Sequence, residues 1–451
     1  MTAIHLRRAL LAEQWARGVA FSIDDNGLLA PVVAGPTEAI DGWVIPGMVN
    51  GHGHAFQRAM AGLAERRHPA RSADSFWTWR EEMYRLANHI SPEDLEALAA
   101  WLYVEMLEAG YTAVAEFHYV HHQPDGRPYA DPAAMSRAIL RAATRTGIRL
   151  TLLPVFYAHG GFTEPLRPLQ RRFAHTQVSE FSRVYEALRT ERGPLVEVGF
   201  AAHSLRAVWP VELMQLCSLP GPAHIHIAEQ RAEVTHCLRH HGQRPVDWLL
   251  DHVPVDDRWS LIHATHVTTE EVAKMAASGA VVGLCPTTEG NLGDGIFPLA
   301  DLLEAGGRIS IGSDSHITVD PREELRLLEY GQRLRTHARN VAADAAQPST
   351  GQRLWIDAAR GGGQSIGHPA GALTAGRCAD LVVLDPDNPK LIGHSEATVL
   401  DAFIFSSGGA SPVRDVMVGG QWVVLDGRHR DRDAIFAAYR STVERLVKSR
   451  G

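Results

Sequence analysis

Four stretches of this chain end a short apolar run in residues that ligate metals or move protons. The first is Val49-Asn50-Gly51-His52-Gly53-His54. Residues two apart in a β-strand point to the same face. His52 and His54 can therefore grip one ion from the same side of a sheet. The second is Ala223-His224-Ile225-His226-Ile227-Ala228-Glu229. It also reads as a strand, with His226 as a candidate ligand and Glu229 just beyond the strand end. The third is Leu261-Ile262-His263-Ala264-Thr265-His266, and the fourth is Ile309-Ser310-Ile311-Gly312-Ser313-Asp314. One such motif is weak on its own, because most histidines are surface residues or hydrogen-bonded core residues. Four of them at strand ends within one fold are much less accidental, and a shared metal ion is the chemistry they suggest.

The elements that must position these residues follow from the pattern of the chain. Up to about Ile45, short apolar runs broken by turn signals such as Asp24-Asp25-Asn26-Gly27 read as β-strands. From Pro46, short apolar segments alternate with longer amphipathic ones. Residues 111–117, 149–156, 195–202, 223–228, 259–264, 280–285 and 308–311 read as strands. Residues 92–109, 132–146, 178–190, 270–278 and 323–336 read as helices. Such alternation predicts a parallel α/β fold. Eight units make a (β/α)8 barrel, whose active site lies at the C-terminal ends of its strands. After about Gly371 the β character returns, with strands expected at 380–385 and 413–425.

Composition narrows the field. A length of 451 residues predicts one large domain and a smaller one. Hydrophobic residues at 45% and charged residues at 21% are ordinary for a globular chain. The net charge of −8, without a long basic block, argues against a nucleic-acid partner. No run approaches the ~20 apolar residues that span a bilayer, and Glu13 and Gln14 end the first apolar stretch too early for a signal-peptide core. Cys217, Cys237, Cys285 and Cys378 are widely spaced, which fits a reducing compartment, so the cytoplasm is expected. Most of the 24 histidines, His236, His240 and His241 among them, are expected at the surface. A homodimer is left open.

The order His-x-His, His-x-x-Glu, His, Gly-Ser-Asp resembles the amidohydrolase superfamily, and in particular its mononuclear deaminase branch. Val44-Ile45-Pro46-Gly47 and Gly376-Arg377-Cys378-Ala379-Asp380-Leu381-Val382 are similar to it as well. The resemblance covers nearly the whole chain. It implies a distorted TIM-type (β/α)8 barrel over residues 46–370 and a small β-sandwich built from both termini, residues 1–45 and 371–451, the latter ending in a helix. It implies that His52, His54, His226 and Asp314 bind the metal. One zinc ion per chain suits these ligands, and iron(II) or manganese(II) is compatible with the same donor types. Binuclear members bridge two metals with a carbamylated lysine on a middle strand, whereas the first lysine here is Lys274.

The expected chemistry follows from that ligand set. Zinc lowers the pKa of bound water from about 15.7 towards ~7. Asp314 would bind metal and accept the water proton, Glu229 would carry a proton to the leaving nitrogen, and His263 would steady the tetrahedral intermediate. His266 is the second choice for that last role.

Further stretches bear on substrate: His52–Arg58, Glu116–His122, Ala201–Arg206 and Cys285–Gly295. They resemble the deiminases of this superfamily that hydrolyse a linear amidine bearing two carboxylates. Arg206 and Arg80 are then expected to pair with carboxylates, and Gln57, Tyr119 and His203 to donate hydrogen bonds. Arg58 and Arg80 read equally well as helix-surface residues, and His121 and His122 as loop or supporting residues. At −8 the protein repels a small dianion at long range, so the pocket must supply its own positive field. The rival expectations are a deaminase or chlorohydrolase acting on a purine, pyrimidine or triazine, and a non-catalytic relative that has lost metal ligands.

Overall fold

The computed structural model describes residues 2–32, 37–66 and 74–448. Its centre is a closed barrel of eight parallel strands: Met48–Gly53, Tyr111–His118, Arg149–Phe156, Phe200–Ser204, Ala223–Ile227, Trp259–His263, Val281–Leu284 and Arg308–Ile311. Each pairs with the next in parallel register, and Ile311 opposite Asn50 closes the ring. The first six are buried at every position. That is why they read as continuous apolar runs rather than alternating ones.

Helices between the strands cover the barrel. Pro92–Ala109 starts where Ser91 Oγ accepts from the Asp94 N–H and stops at Gly110, whose φ of 101° ends the helix in the left-handed region. Two single strands expected from sequence are divided in the structure. Residues 195–202 hold Val196–Val198 and Phe200–Ser204, broken at Gly199, where a Cβ would stand 2.3 Å from the carbonyl oxygen of Pro222. Residues 413–425 form a hairpin of Val413–Val418 and Gln421–Leu425, turned by Gly419 and Gly420, both with positive φ. Among the described residues no helix is long and apolar enough to cross a membrane.

Both chain ends contribute to a second, mostly antiparallel sheet. Thr2–Leu10 pairs with Trp15–Ile23, and Trp43–Pro46 pairs with Leu381–Leu384, which leads on to the hairpin. This sheet has an apolar core of its own, with Ile4, Leu6, Phe21, Val44, Leu381, Val383 and Met417 in one cluster. One buried ion pair ties it to the barrel. Arg149, on the third barrel strand, donates from Nε and Nη2 to the two oxygens of Asp380 at 2.8 and 2.9 Å. The Gly419 N–H donates to the same carboxylate at 2.7 Å. Both side chains are almost completely buried.

Removing one partner of such a pair strands a buried charge, which costs about 3–5 kcal/mol. Asp380→Ala is therefore expected to lower the denaturant midpoint by an amount in that range. A loss under about 1 kcal/mol, the size of an exposed pair, would show that the junction does not depend on this contact.

Candidate metal centre and active site

Three buried imidazoles meet at the C-terminal end of the barrel. His52 lies in the first strand, His54 directly follows it, and His226 lies in the fifth. His52 Nε2 is 3.0 Å from His226 Nε2. Asp314, after the eighth strand, brings Oδ1 to 3.1 Å from His54 Nε2 and 3.6 Å from His52 Nε2. The far nitrogens of two rings are fixed by backbone carbonyls: His54 Nδ1 by Phe117 at 2.9 Å and His226 Nδ1 by His203 at 3.0 Å. A ring that donates through Nδ1 presents an Nε2 lone pair, so both lone pairs face the common point. Burial lowers the His52 pKa to about 3 and His226 well below the usual imidazole range, which keeps them neutral as ligands must be. Burial works against Asp314, but His52 and His54 hold it well below the usual carboxylate range. This donor set fits a divalent ion.

Close backbone approach makes the cradle. A Cβ on Gly312 would stand 2.6 Å from the His52 carbonyl oxygen, and one on Gly53 would stand 2.6 Å from the His316 ring. Beneath it, Asn50 Nδ2 donates to Ser313 Oγ at 2.6 Å, the Ser313 N–H donates back to Asn50 Oδ1 at 3.1 Å, and the His54 N–H donates to His316 Nε2 at 3.0 Å. Eight non-glycine residues among those described have positive φ, and five of them, Ala228, His263, Ala264, Asp314 and His316, sit at these strand ends. Such strain costs on the order of 1–3 kcal/mol per residue and persists only where the surroundings enforce it.

His263, ending the sixth strand, faces carboxylates on both sides. Its Nε2 is 3.7 Å from Asp314 Oδ2 and 3.9 Å from Glu229 Oε1, and its Nδ1 is 3.3 Å from Glu289 Oε1. Burial opposes protonation, yet Glu229, Glu289 and Asp314 together raise its pKa to about 10. Glu229 is held by its backbone, since Glu233 accepts from the N–H groups of Ala228 and Glu229 at 3.1 Å each. Burial raises the Glu229 pKa, with His263 opposing and Asp314 adding to the rise.

A cavity of about 510 Å³ is lined by Trp77, Arg80, Phe162, Arg206 and Glu233 among others. Arg206 Nη1 and Arg80 Nε are buried without a hydrogen-bond partner. Arg80 stacks on Trp77, its Cζ 4.4 Å from the ring centre. Burial, reinforced by Arg206, lowers its pKa although Tyr84 opposes this. Between the arginines and the histidines stands His203, whose ring centre is 5.1 Å from that of His226 and 4.6 Å from that of Tyr157. Gln57 Nε2 donates to Tyr119 Oη at 2.8 Å, and Gln57 Oε1 is buried without a partner.

Residues 43–423 match the model of the amidohydrolase family. The chain belongs to this family. It is 50% identical to the formimidoylglutamate deiminase of Pseudomonas aeruginosa, across 99% of this chain and 100% of that protein. The crystal structure of an amidohydrolase from Brucella melitensis matches with a TM-score of 0.91 at 46% identity, covering 99% of this chain and 100% of that one. An adenosine deaminase from Xanthomonas campestris with bound zinc shares the fold at a TM-score of 0.79 and 20% identity, over 99% and 98% of the two chains.

In this amidohydrolase the structure brings His52, His54, His226 and Asp314 together, with Glu229 and His263 against them. Arg80 and Arg206 line one cavity, and Tyr119 sets its ring edge-on to both His54 and His203 while its hydroxyl accepts from Gln57. His224 points away from this centre and bonds the Ser365 carbonyl at 2.8 Å. His121 and His122 are buried in the loop after the second strand, outside the ligand set. His236 and His240 are exposed, whereas His241 is half-buried. Arg58 is half-buried and pairs with Glu105 at 2.7 Å. Glu289, Glu233, Asn50 and His316 had no assigned role in the sequence. Asn50 and Glu289 lie within stretches already singled out, but a polar side chain there does not say which neighbour it holds.

Proposed function

We propose that this amidohydrolase hydrolyses N-formimino-L-glutamate to N-formyl-L-glutamate and ammonia, a step of histidine degradation, using one zinc ion per chain. The observation that carries the substrate is the pair of half-buried arginines, Arg80 and Arg206, which line one cavity and each keep one buried nitrogen still to be satisfied. A substrate with two carboxylates answers both. A purine or triazine would leave them unanswered, and the Trp77 face on which it would stack is taken by Arg80. The 50% identical relative carries the name of this activity. Four cysteines, none in a disulfide, fit a cytoplasmic enzyme.

His52, His54, His226 and Asp314 would hold the metal, which when bound supplies a nucleophile from water at neutral pH. Asp314 accepts the proton of the attacking water. Glu229 delivers a proton to the departing nitrogen, and burial, which raises its pKa, favours the protonated form that this transfer needs. His263, anchored through Nδ1 by Glu289, presents Nε2 to the charge that develops at the reacting carbon. A C–O bond forms, the bond to the terminal nitrogen breaks, and ammonia leaves. Arg206 and Arg80 bind the carboxylates, with Gln57, Tyr119 and His203 donating around them.

Purified protein is expected to release ammonia from N-formimino-L-glutamate and not from guanine or cytosine, and the reverse preference would overturn the assignment. Elemental analysis should find one zinc per chain, whereas a stable two metals would contradict the single cradle. Glu229→Gln should keep that metal and lose most turnover, and near wild-type kcat would remove Glu229 from the proton path. Arg206→Met removes a charge-assisted hydrogen bond worth about 1.5–3 kcal/mol, so kcat/KM should fall at least ~10-fold. Formamidine, which has no carboxylate, should feel this change much less, and an equal loss on both substrates would assign Arg206 to folding or to the chemical step.

A further inference from the structure

The site holds more negative charge than these roles use. Glu229, Glu289 and Asp314 meet at His263, and a fourth carboxyl, Asp294, lies within their electrostatic reach. Asp294 follows the short helix Pro286–Leu292 that comes after the seventh barrel strand. Its N–H donates to the carbonyl of Glu289 at 2.9 Å. Gln230, next to Glu229, donates its side-chain amide to Asp294 Oδ1. The following residue, Gly295, has a φ of 142°, and a Cβ there would stand 3.1 Å from Thr265 Cγ2. Asp294 is thus held against the loops that leave the fifth and sixth strands, one carrying Glu229 and the other following His263.

Held in this way, Asp294 is 5% exposed and its Oδ2 is buried without a hydrogen-bond partner. Buried carboxyl oxygens in native proteins are almost always satisfied, so this one calls for an N–H donor. Burial and the charge of Glu229 push the Asp294 pKa up to about 9, so this carboxyl ionises at neutral pH only when a cation sits against it. A metal in the cradle answers Asp314, which is among its ligands. Asp294 is bonded to Gln230, the residue next to Glu229, so it belongs to the leaving-nitrogen side of the site.

We propose that Asp294 selects the cationic amidine, its Oδ2 accepting an N–H from the substrate amidinium while the arginines hold the carboxylates at the opposite end. This rests on the reaction proposed above and names the residue that reads its charged group. Linear amidines are strong bases and carry a positive charge at neutral pH, whereas the formamide group of the product is neutral. Asp294 therefore separates substrate from product and favours product release.

Asp294→Asn keeps an oxygen for Gln230 and hardly changes volume. Ammonia release from N-formimino-L-glutamate and competitive inhibition by N-formyl-L-glutamate are measured on the same metal-loaded full chain. The KM is expected to rise about 10-fold or more, the loss of one charge-assisted hydrogen bond. The inhibition constant of the product should stay within about twofold of wild type, since its formamide group has no charge for Asp294 to answer. Metal content and melting temperature should not change. An unchanged KM, or equal weakening of substrate and product, would overturn the proposal while leaving the reaction standing. A wild-type enzyme that releases no ammonia from this substrate would sink both. If Asp294→Asn fails to fold, Asp294→Ser reads the same comparison.

Discussion

Everything at the strand ends depends on bringing several ligating groups to one buried point without letting them repel or neutralise one another. Neutral imidazoles at His52 and His226 make this feasible, and the neutrality of these two comes from burial. Their direction comes from backbone carbonyls: Phe117 and His203 each fix one Nδ1 and so aim the opposite nitrogen. Those carbonyls belong to the second barrel strand and the fourth, neighbours of the strands whose histidines they orient. A closed parallel barrel supplies this arrangement because each strand end presents its carbonyls next to the side chains of the adjacent strand.

Charge is sorted across the same surface. Acids follow the fifth, seventh and eighth strands as Glu229, Glu289, Asp294 and Asp314, with His263 among them. The two arginines line one cavity, with Glu233 beside them, Arg206 coming from the loop after the fourth strand and Arg80 from the helix Phe76–Ala87. Buried groups of one sign are tolerated only when opposite charge or hydrogen bonds answer them. A molecule with a cationic head and an anionic tail answers both sides at once, and its orientation is then set by electrostatics before any contact of shape.

The price of this geometry is strained backbone, with positive φ at Asp314, His263 and three of their neighbours. The enforcing structure is local and tight. Gly53 and Gly312 let the first and eighth strands close to a distance that a methyl group would prevent, and the Asn50–Ser313–His316 bonds lock that contact from below. At the far side of the barrel, Asp380 ties the terminal sheet to the third strand, so both chain ends brace the scaffold that holds the site.

The sequence by itself determined which polar residues stand at the strand ends. His52, His54, His226, His263 and Asp314 were legible because each closes an apolar run, and burial on both faces of a parallel strand makes that run conspicuous. Helix ends were legible too where a local signal stops the chain, as at Gly110. The breaks at Gly199 and Gly419-Gly420 were not, since glycine marks a break only once its neighbour is known. The contacts of Glu289, Glu233 and Asp294 were decided by tertiary structure alone. Each depends on which groups from distant parts of the chain share a low-dielectric space, and the local alternation of apolar and polar residues carries no record of that.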